Sequence, residues 1–104
     1  MNQHIPVLLN ECISFIVVKP GGSYFEGTIG YGGHTEKILE HLSVNARYTG
    51  TDKDVNAFEH CVAKFKSDVR IQLYNTSFVN IDVVSRLESI KEFDAIFVDL
   101  RSSR

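Results

Sequence analysis

Three features of this sequence could together hold a nucleotide-like ligand: one glycine-rich segment and two aspartates. The segment Glu26-Gly27-Thr28-Ile29-Gly30-Tyr31-Gly32-Gly33 is rich in glycine, which lets a backbone approach a ligand closely and adopt positive φ. Asp52 follows at a spacing where an acid can accept both ribose hydroxyl hydrogens. Asp99 closes a later apolar run. The alternative is a glycine-rich turn that only links a strand to a helix.

The residues around this segment favour S-adenosylmethionine over a dinucleotide. Glu26 stands directly before the glycines, where its carboxylate would repel a diphosphate but suit a cationic group. S-adenosylmethionine carries an ammonium and a sulfonium group and no phosphate. The third glycine of the dinucleotide pattern is missing, because Gly30-Tyr31-Gly32 is followed by Gly33-His34-Thr35. No Gly-Lys-Ser/Thr follows, which excludes a P-loop.

Apolar patterning predicts four strands that would bring these residues to one edge of a sheet. The strands are expected at Ser23–Glu26, Arg47–Thr51, Val69–Tyr74 and Phe93–Leu100. The last is nearly all apolar, as in a strand that is buried on both faces. Helices between strands imply right-handed parallel crossovers. The predicted fold class is therefore α/β, a Rossmann-like sheet of four parallel strands with ligand residues at its carboxyl edge.

The helices are predicted from apolar residues at helical spacing. They are expected at Val7–Val18, at Thr35–Leu42, after an N-cap at Asp54, and at Val79–Lys91. The inward positions would be Ile38, Leu39 and Leu42, then Val55, Phe58, Val62 and Phe65, then Val83, Val84, Leu87 and Ile90. The aromatic residues Tyr24, Phe25, Phe93 and Phe97 are expected in the strand core rather than stacked on bases.

The last predicted strand raises a question about the sheet edge. If the strand order is 3-2-1-4, that strand is a bare apolar edge, which invites aggregation or pairing. A doubly wound sheet normally continues, whereas this chain stops soon after Asp99. We therefore expect a fold truncated after its fourth parallel strand, with self-association possible through the exposed edge.

Composition narrows the class of protein. The chain has 104 residues, 43% hydrophobic and 23% charged, with a net charge of -2. We therefore expect residues 1–104 to form one small globular domain or part of a larger one, and not a polycationic nucleic-acid sleeve. No apolar run is long enough for a membrane span. The first six residues carry no basic segment of the kind that opens a secretory signal. Cys12 and Cys61 have no motif spacing, which predicts a reduced, cytoplasmic chain without a metal site.

Four segments together resemble a known family. They are His4-Ile5-Pro6-Val7-Leu8-Leu9-Asn10-Glu11, Glu26 to Thr35 with its Gly-Gly-His-Thr end, Gly50-Thr51-Asp52-Lys53-Asp54, and Phe93-Asp94-Ala95-Ile96-Phe97-Val98-Asp99-Leu100. In order and spacing they are similar to the amino-terminal third of the bacterial 16S rRNA (cytosine-N4) methyltransferases, the MraW/RsmH family. The resemblance covers essentially the whole chain. It implies the cofactor-binding half of a methyltransferase domain, without the remaining strands and the family's inserted RNA-recognition domain.

The resemblance also implies roles for single residues. Gly30 and the Gly32-Gly33-His34 turn would lie against the methionine part of S-adenosylmethionine, with Glu26 beside it. Asp52 would hold the ribose, and Phe78 would flank the adenine. Asp99 would contact the cofactor and act at the methyl-transfer site. The family usually has Asp where Glu26 stands, and Arg101 replaces a glycine that follows Asp-Leu in the family.

The implied reaction transfers a methyl group from the sulfonium to the N4 amino group of a cytosine in 16S rRNA, within the small ribosomal subunit. That nitrogen is a poor nucleophile, and Asp99 could accept its hydrogen bond and ease proton loss. We expect little or no activity from these residues alone. The alternatives are a non-catalytic cofactor-binding or interaction remnant, and an NAD-binding half of an oxidoreductase. Asp99 could also be an ordinary strand-end acid, His34 a helix cap and Phe78 a core residue.

Overall fold

The computed structural model describes residues 4–6, 13, 14, 16 and 18–98, and it contains one parallel sheet. The strands are β1 His4–Pro6, β2 Ser23–Glu26, β3 Arg47–Thr51, β4 Ile71–Tyr74 and β5 Ala95–Val98, in the order β1-β5-β2-β3-β4. Each pairing between neighbours is parallel. The predicted α/β, Rossmann-like class is confirmed, and the four predicted strands lie in the order 3-2-1-4.

The helices that follow the strands are short. They are α1 Gly33–Leu39, α2 Val55–Lys64 and α3 Ile81–Leu87, with the 3₁₀ helix Phe78–Asn80 directly before α3. Residues 13, 14, 16 and 18 are helical, and the rest of the predicted Val7–Val18 helix lies outside the described residues. The predicted N-cap at Asp54 is confirmed, because its Oδ1 accepts hydrogen bonds from Asn56 N at 2.9 Å and Ala57 N at 3.5 Å.

The predicted bare edge at the last strand is wrong. β1 pairs with β5 along its open side, with His4 opposite Ile96 and Pro6 opposite Val98. Proline has no N–H to donate, so an edge strand is the position where it is tolerated in a sheet. A three-residue strand is too short to show a period in the sequence, which is why it was not predicted. Self-association through an exposed β5 edge therefore loses its structural basis.

The two faces of the sheet carry separate apolar clusters. β2 alternates, so that Tyr24 packs on the α1 and α2 side with Tyr48 and Phe97, while Phe25 packs on the α3 side with Phe93. The rings of Tyr24 and Phe97 are stacked at 5.7 Å. All four residues of β5 are buried, as predicted for a strand that is covered on both faces. The predicted core aromatics Tyr24, Phe25, Phe93 and Phe97 are confirmed.

Two predicted helix faces need correction. In α2 the buried residues are Ala57 and Cys61, followed by Phe65, while Val55 and Val62 are exposed. The buried face of α2 therefore carries smaller side chains than the predicted face. It lies next to the exposed valines on which the prediction is based. In and after α3, Val84 and Ile90 are buried as predicted, whereas Val83 and Leu87 are exposed. The chain leaves the α-helix at Leu87, so one helical period does not extend across the whole predicted segment.

Candidate functional site

The candidate site is a cavity of about 230 Å³ at the carboxyl ends of β2, β3 and β4. This is where ligands bind in open α/β sheets. Its lining comprises Gly27, Thr28, Gly30, Tyr31, Asp52, Lys53, Asp54, Ala57, Thr76, Ser77 and Phe78. A larger cavity of about 670 Å³ lies between α1 and the turn after α2, lined by Leu39, Phe65 and Arg70 among others. That cavity contains none of the predicted site residues.

The glycine loop adopts a conformation that requires glycine at two positions. Gly30 has φ +58° and Gly32 has φ +87°, both in the left-handed region. A Cβ on Gly32 would also come within 2.9 Å of Phe65 Cε2. The Cys61 thiol donates to the Gly30 carbonyl, with Sγ and O 3.3 Å apart. Cys61 is buried, and it supports the loop through this hydrogen bond.

Asp52 lies at the centre of the site and is 6% exposed. Its Oδ2 accepts a hydrogen bond from Gly30 N at 2.8 Å, and its Oδ1 accepts one from Asp54 N at 2.9 Å. Its carbonyl oxygen accepts a hydrogen bond from Asn75 Nδ2 at 2.8 Å. A carboxylate oxygen has further lone pairs. Asp52 can therefore position the loop and still accept hydrogen bonds from two ligand hydroxyls.

Glu26 lies beneath the loop rather than in the cavity lining. It is 7% exposed, and its Oε1 accepts hydrogen bonds from Thr35 Oγ1 and Tyr48 Oη, each at 2.6 Å. Burial raises the pKa of Glu26 above the usual carboxyl value, and Asp52 raises it further. The two hydroxyl donors and the nearby His34 oppose that rise in pKa. The protein therefore keeps an acid at a position where its charge is disfavoured.

Phe78 lines the same cavity as Asp52. It begins the 3₁₀ helix, is half-buried and packs against the second apolar cluster. A Cβ on Gly27 would come within 3.1 Å of Phe78 Cβ, so the ring approaches the strand end closely. Core packing and contact with a ligand are both compatible with this position.

The structure therefore brings part of the predicted site together. Gly30, Asp52 and Phe78 share the cavity. The Gly32-Gly33-His34 turn begins α1 next to it, with Gly33 and His34 exposed and Gly32 buried, but none of the three lines it. Asp99 lies outside the described residues. Within the described ranges, no group of three or more histidine, cysteine or acidic side chains could hold a metal ion.

Several residues of the site were not predicted from the sequence. Tyr31 lines the cavity and its ring meets His60 edge-on, with the centroids 5.0 Å apart. Asn75 ties the segment after β4 to Asp52. The turn-prone segment Asn75-Thr76-Ser77, between β4 and Phe78, is the signal from which this wall of the cavity could have been predicted. No described helix is both long and apolar enough to cross a membrane.

Comparison with known proteins gives one consistent result. The sequence matches the MraW methylase family over residues 1–104. It is 43% identical over 100 residues to the ribosomal RNA small subunit methyltransferase H of Caldicellulosiruptor saccharolyticus, covering 96% of this chain and 33% of that protein. The protein of the same name from Legionella pneumophila strain Corby is 40% identical over 101 residues, with 96% and 33% covered.

A solved structure is similar in fold. It is a crystal structure of a protein from Clostridium thermocellum that is provisionally assigned as an rRNA methylase, with a TM-score of 0.61 and 23% identity. The similarity covers 76% of this chain and 45% of that one. The chain thus spans about a third of the length of the curated relatives. Since the family match extends over every residue, the chain belongs to the MraW methylase family.

Proposed function

We propose that this chain supplies the cofactor-binding part of an S-adenosylmethionine-dependent methyltransferase that acts on the N4 amino group of a cytosine in 16S rRNA. The observation that carries the proposal is Asp52, a buried acid that joins the glycine loop at the end of β3 and borders the cavity of about 230 Å³. The relatives named ribosomal RNA small subunit methyltransferase H support the reaction class. For this chain we propose a cytoplasmic location.

The chemistry of the residues fits this cofactor. Asp52 and Glu26 are two acids near one strand edge, which suits a ligand with hydroxyl and ammonium groups better than one with phosphates. Phe78 supplies an aromatic wall for an adenine ring. When bound, S-adenosylmethionine supplies an electrophilic methyl group. The residues of this chain would hold its ribose and adenine and fix the direction of that methyl group.

Asp99 is proposed to act at the methyl-transfer site. In the sequence Asp99 follows the last residue of β5, and β5 runs parallel to β2, the strand that ends at Glu26. A carboxylate there could accept a hydrogen bond from the N4 amino group of cytosine and later ease its loss of a proton. Base recognition would need further surface, which we assign to parts of the relatives that have no counterpart in this chain.

Calorimetric titration of the purified chain with S-adenosylmethionine tests the cofactor, with NAD as the competing ligand. We expect binding of S-adenosylmethionine alone. Tighter binding of NAD would favour the oxidoreductase alternative. Transfer of a labelled methyl group to small-subunit rRNA tests activity, with Asp99→Asn as the matched variant. Methyl transfer to RNA by the isolated chain would eliminate the second candidate, a non-catalytic cofactor-binding module.

A further inference from the structure

Two hydroxyl groups from different elements meet on one oxygen of Glu26. Tyr48 belongs to β3 and Thr35 to the first turn of α1, and both donate to Glu26 Oε1 at 2.6 Å. Tyr48 and Thr35 are fully buried. Distances of this length are typical of hydroxyl bonds to an ionised carboxylate. The carboxyl group is therefore held in one orientation by a strand and a helix.

This arrangement leaves the second oxygen available. Within the described part of the chain, no residue donates a hydrogen bond to Glu26 Oε2. No side-chain oxygen or nitrogen there is both fully buried and without a partner, so Oε2 retains some access. A carboxylate whose Oε1 is occupied and whose Oε2 is unpaired and not fully enclosed is suited to accept a charged N–H donor from a ligand.

The negative charge around Glu26 favours a cationic donor over an anionic ligand group. Asp52 lies close enough to Glu26 to raise its pKa, so the site concentrates negative charge. The hydroxyls of Thr35 and Tyr48 act in the opposite direction and favour the ionised form. An ammonium group relieves the repulsion between the two acids, whereas a phosphate would increase it.

We propose that Tyr48, together with Thr35, is a positioning residue that directs Glu26 Oε2 at the ammonium group of an adenosyl amino acid. The inference rests on the proposed function and deepens it, because it separates recognition of the amino-acid end from recognition of the adenosine end. Tyr48 acts through Glu26 and needs no contact with the ligand. Asp52 and Phe78 hold the adenosine end independently.

The test compares two ligands that differ at one end. S-adenosylmethionine has the ammonium group, and 5′-methylthioadenosine keeps the adenosine but lacks the amino-acid part. In Tyr48→Phe we expect the Kd for S-adenosylmethionine to rise about tenfold and that for methylthioadenosine to stay within about twofold. Thr35→Val should behave similarly, and Thr35→Ser, which keeps the hydroxyl, should restore binding. The loss in Tyr48→Phe should grow as the pH is lowered, because Glu26 then protonates more readily.

The matched control is Tyr74→Phe, which removes a tyrosine hydroxyl that donates to a different carboxylate, that of Glu88. It should leave both affinities unchanged. An equal loss for both ligands in Tyr48→Phe and Thr35→Val would show a merely structural role and overturn the inference. Unchanged affinities for both ligands would also overturn it. A folded wild-type chain that binds neither ligand would refute the proposed function itself, and this result is separate from any difference between variants.

Discussion

The carboxylate of Asp52 holds the backbone of the glycine loop, because its Oδ2 accepts the Gly30 N–H at 2.8 Å. Its Oδ1 accepts the N–H of Asp54, the residue that caps α2. One side chain therefore fixes both the loop and the helix start that border the cavity. Asp52 makes these hydrogen bonds without any ligand. Its substitution should therefore affect stability and ligand binding separately.

Asp52→Asn should weaken both folding and cofactor binding. An amide offers one oxygen, so its NH₂ group would face one of the two backbone donors. We expect the free energy of unfolding to fall by about 1–3 kcal/mol and S-adenosylmethionine binding to weaken by a similar amount. Urea denaturation and calorimetry measure the two effects. Asp82→Asn, at an exposed acid in the first turn of α3, is the control. Unchanged affinity in Asp52→Asn would contradict the ribose assignment.

Two glycine substitutions should separate stability from binding. A Cβ on Gly50 would lie 2.5 Å from Ile29 Cγ2 and 3.1 Å from Leu73 Cδ2, so Gly50→Ala should lower the free energy of unfolding by about 1–3 kcal/mol. A Cβ on Gly33 meets nothing within 4 Å, and this residue begins α1. Gly33→Ala should therefore keep or slightly raise stability, by up to about 1 kcal/mol.

Binding is where the Gly33 variant should differ from the wild type. The new methyl group would occupy the space expected for the methionine part of the cofactor. We expect a higher Kd for S-adenosylmethionine in Gly33→Ala despite an intact thermal transition. If calorimetry gives the wild-type Kd, the cofactor does not approach the backbone at this turn.

Glu26 should make stability depend on pH in an unusual direction. Burial raises the pKa of Glu26 in the folded chain. Such a group stabilises the fold fully below the unfolded-state pKa of glutamate, and this contribution is lost as the pH rises through the higher folded-state pKa. Glu26→Gln should flatten that dependence and match or exceed wild-type stability at neutral pH, while it weakens S-adenosylmethionine binding. Unfolding free energies across the acidic to neutral range provide the check, and parallel curves for the two proteins would refute it.

Arg70 should show the opposite pH behaviour through Asp68. Its guanidinium binds both oxygens of Asp68 and donates from Nη1 to the carbonyls of Leu39 and Leu42, so it covers the end of α1. The hydrogen bonds from Arg70 lower the pKa of Asp68. The resulting stability is present above the ordinary aspartate pKa and is lost as the pH falls through the lowered value.

Arg70→Lys should therefore reduce stability at neutral pH by about 1–2 kcal/mol, since lysine cannot reproduce the planar set of donors. Denaturation at neutral and acidic pH measures the difference, which should shrink in acid. Arg86→Lys, at an exposed position in the last turn of α3, should change little. A difference that stays constant with pH would show that the ion pair does not contribute.

The central elements were predictable because their signals are local. β2 and β3 have the predicted bounds, Asp54 caps α2, and the glycine loop lies between β2 and α1. Each of these follows from a turn, a cap or an apolar run that can be read within a few residues. The cavity-lining positions of Gly30 and Asp52 also followed, since parallel strands end at the same edge, whereas Phe78 was expected only from the family resemblance.

What the sequence could not indicate depends on contacts between distant residues. The buried stripe of α2 contains Ala57 and Cys61 because small side chains fit under the glycine loop, whereas the exposed Val55 and Val62 are equally apolar. The burial of Glu26 depends on hydroxyls from Thr35 and Tyr48. A carboxylate before a glycine loop suggests a ligand contact. Only its hydrogen bonds with Thr35 and Tyr48 show that Glu26 also joins α1 to β3.

The pairing of β1 with β5 has a consequence for the order of folding. His4 meets Ile96, so the first described strand pairs with the last described strand. During translation, residues 4–6 must wait until residues 96–98 have been added before their pairing partner exists. Contacts between such distant residues slow folding, because the intervening loop must close first. We expect β2, β3 and β4 to associate earlier and the outer pair to form late, with the amide hydrogens of β1 among the last to gain protection from exchange.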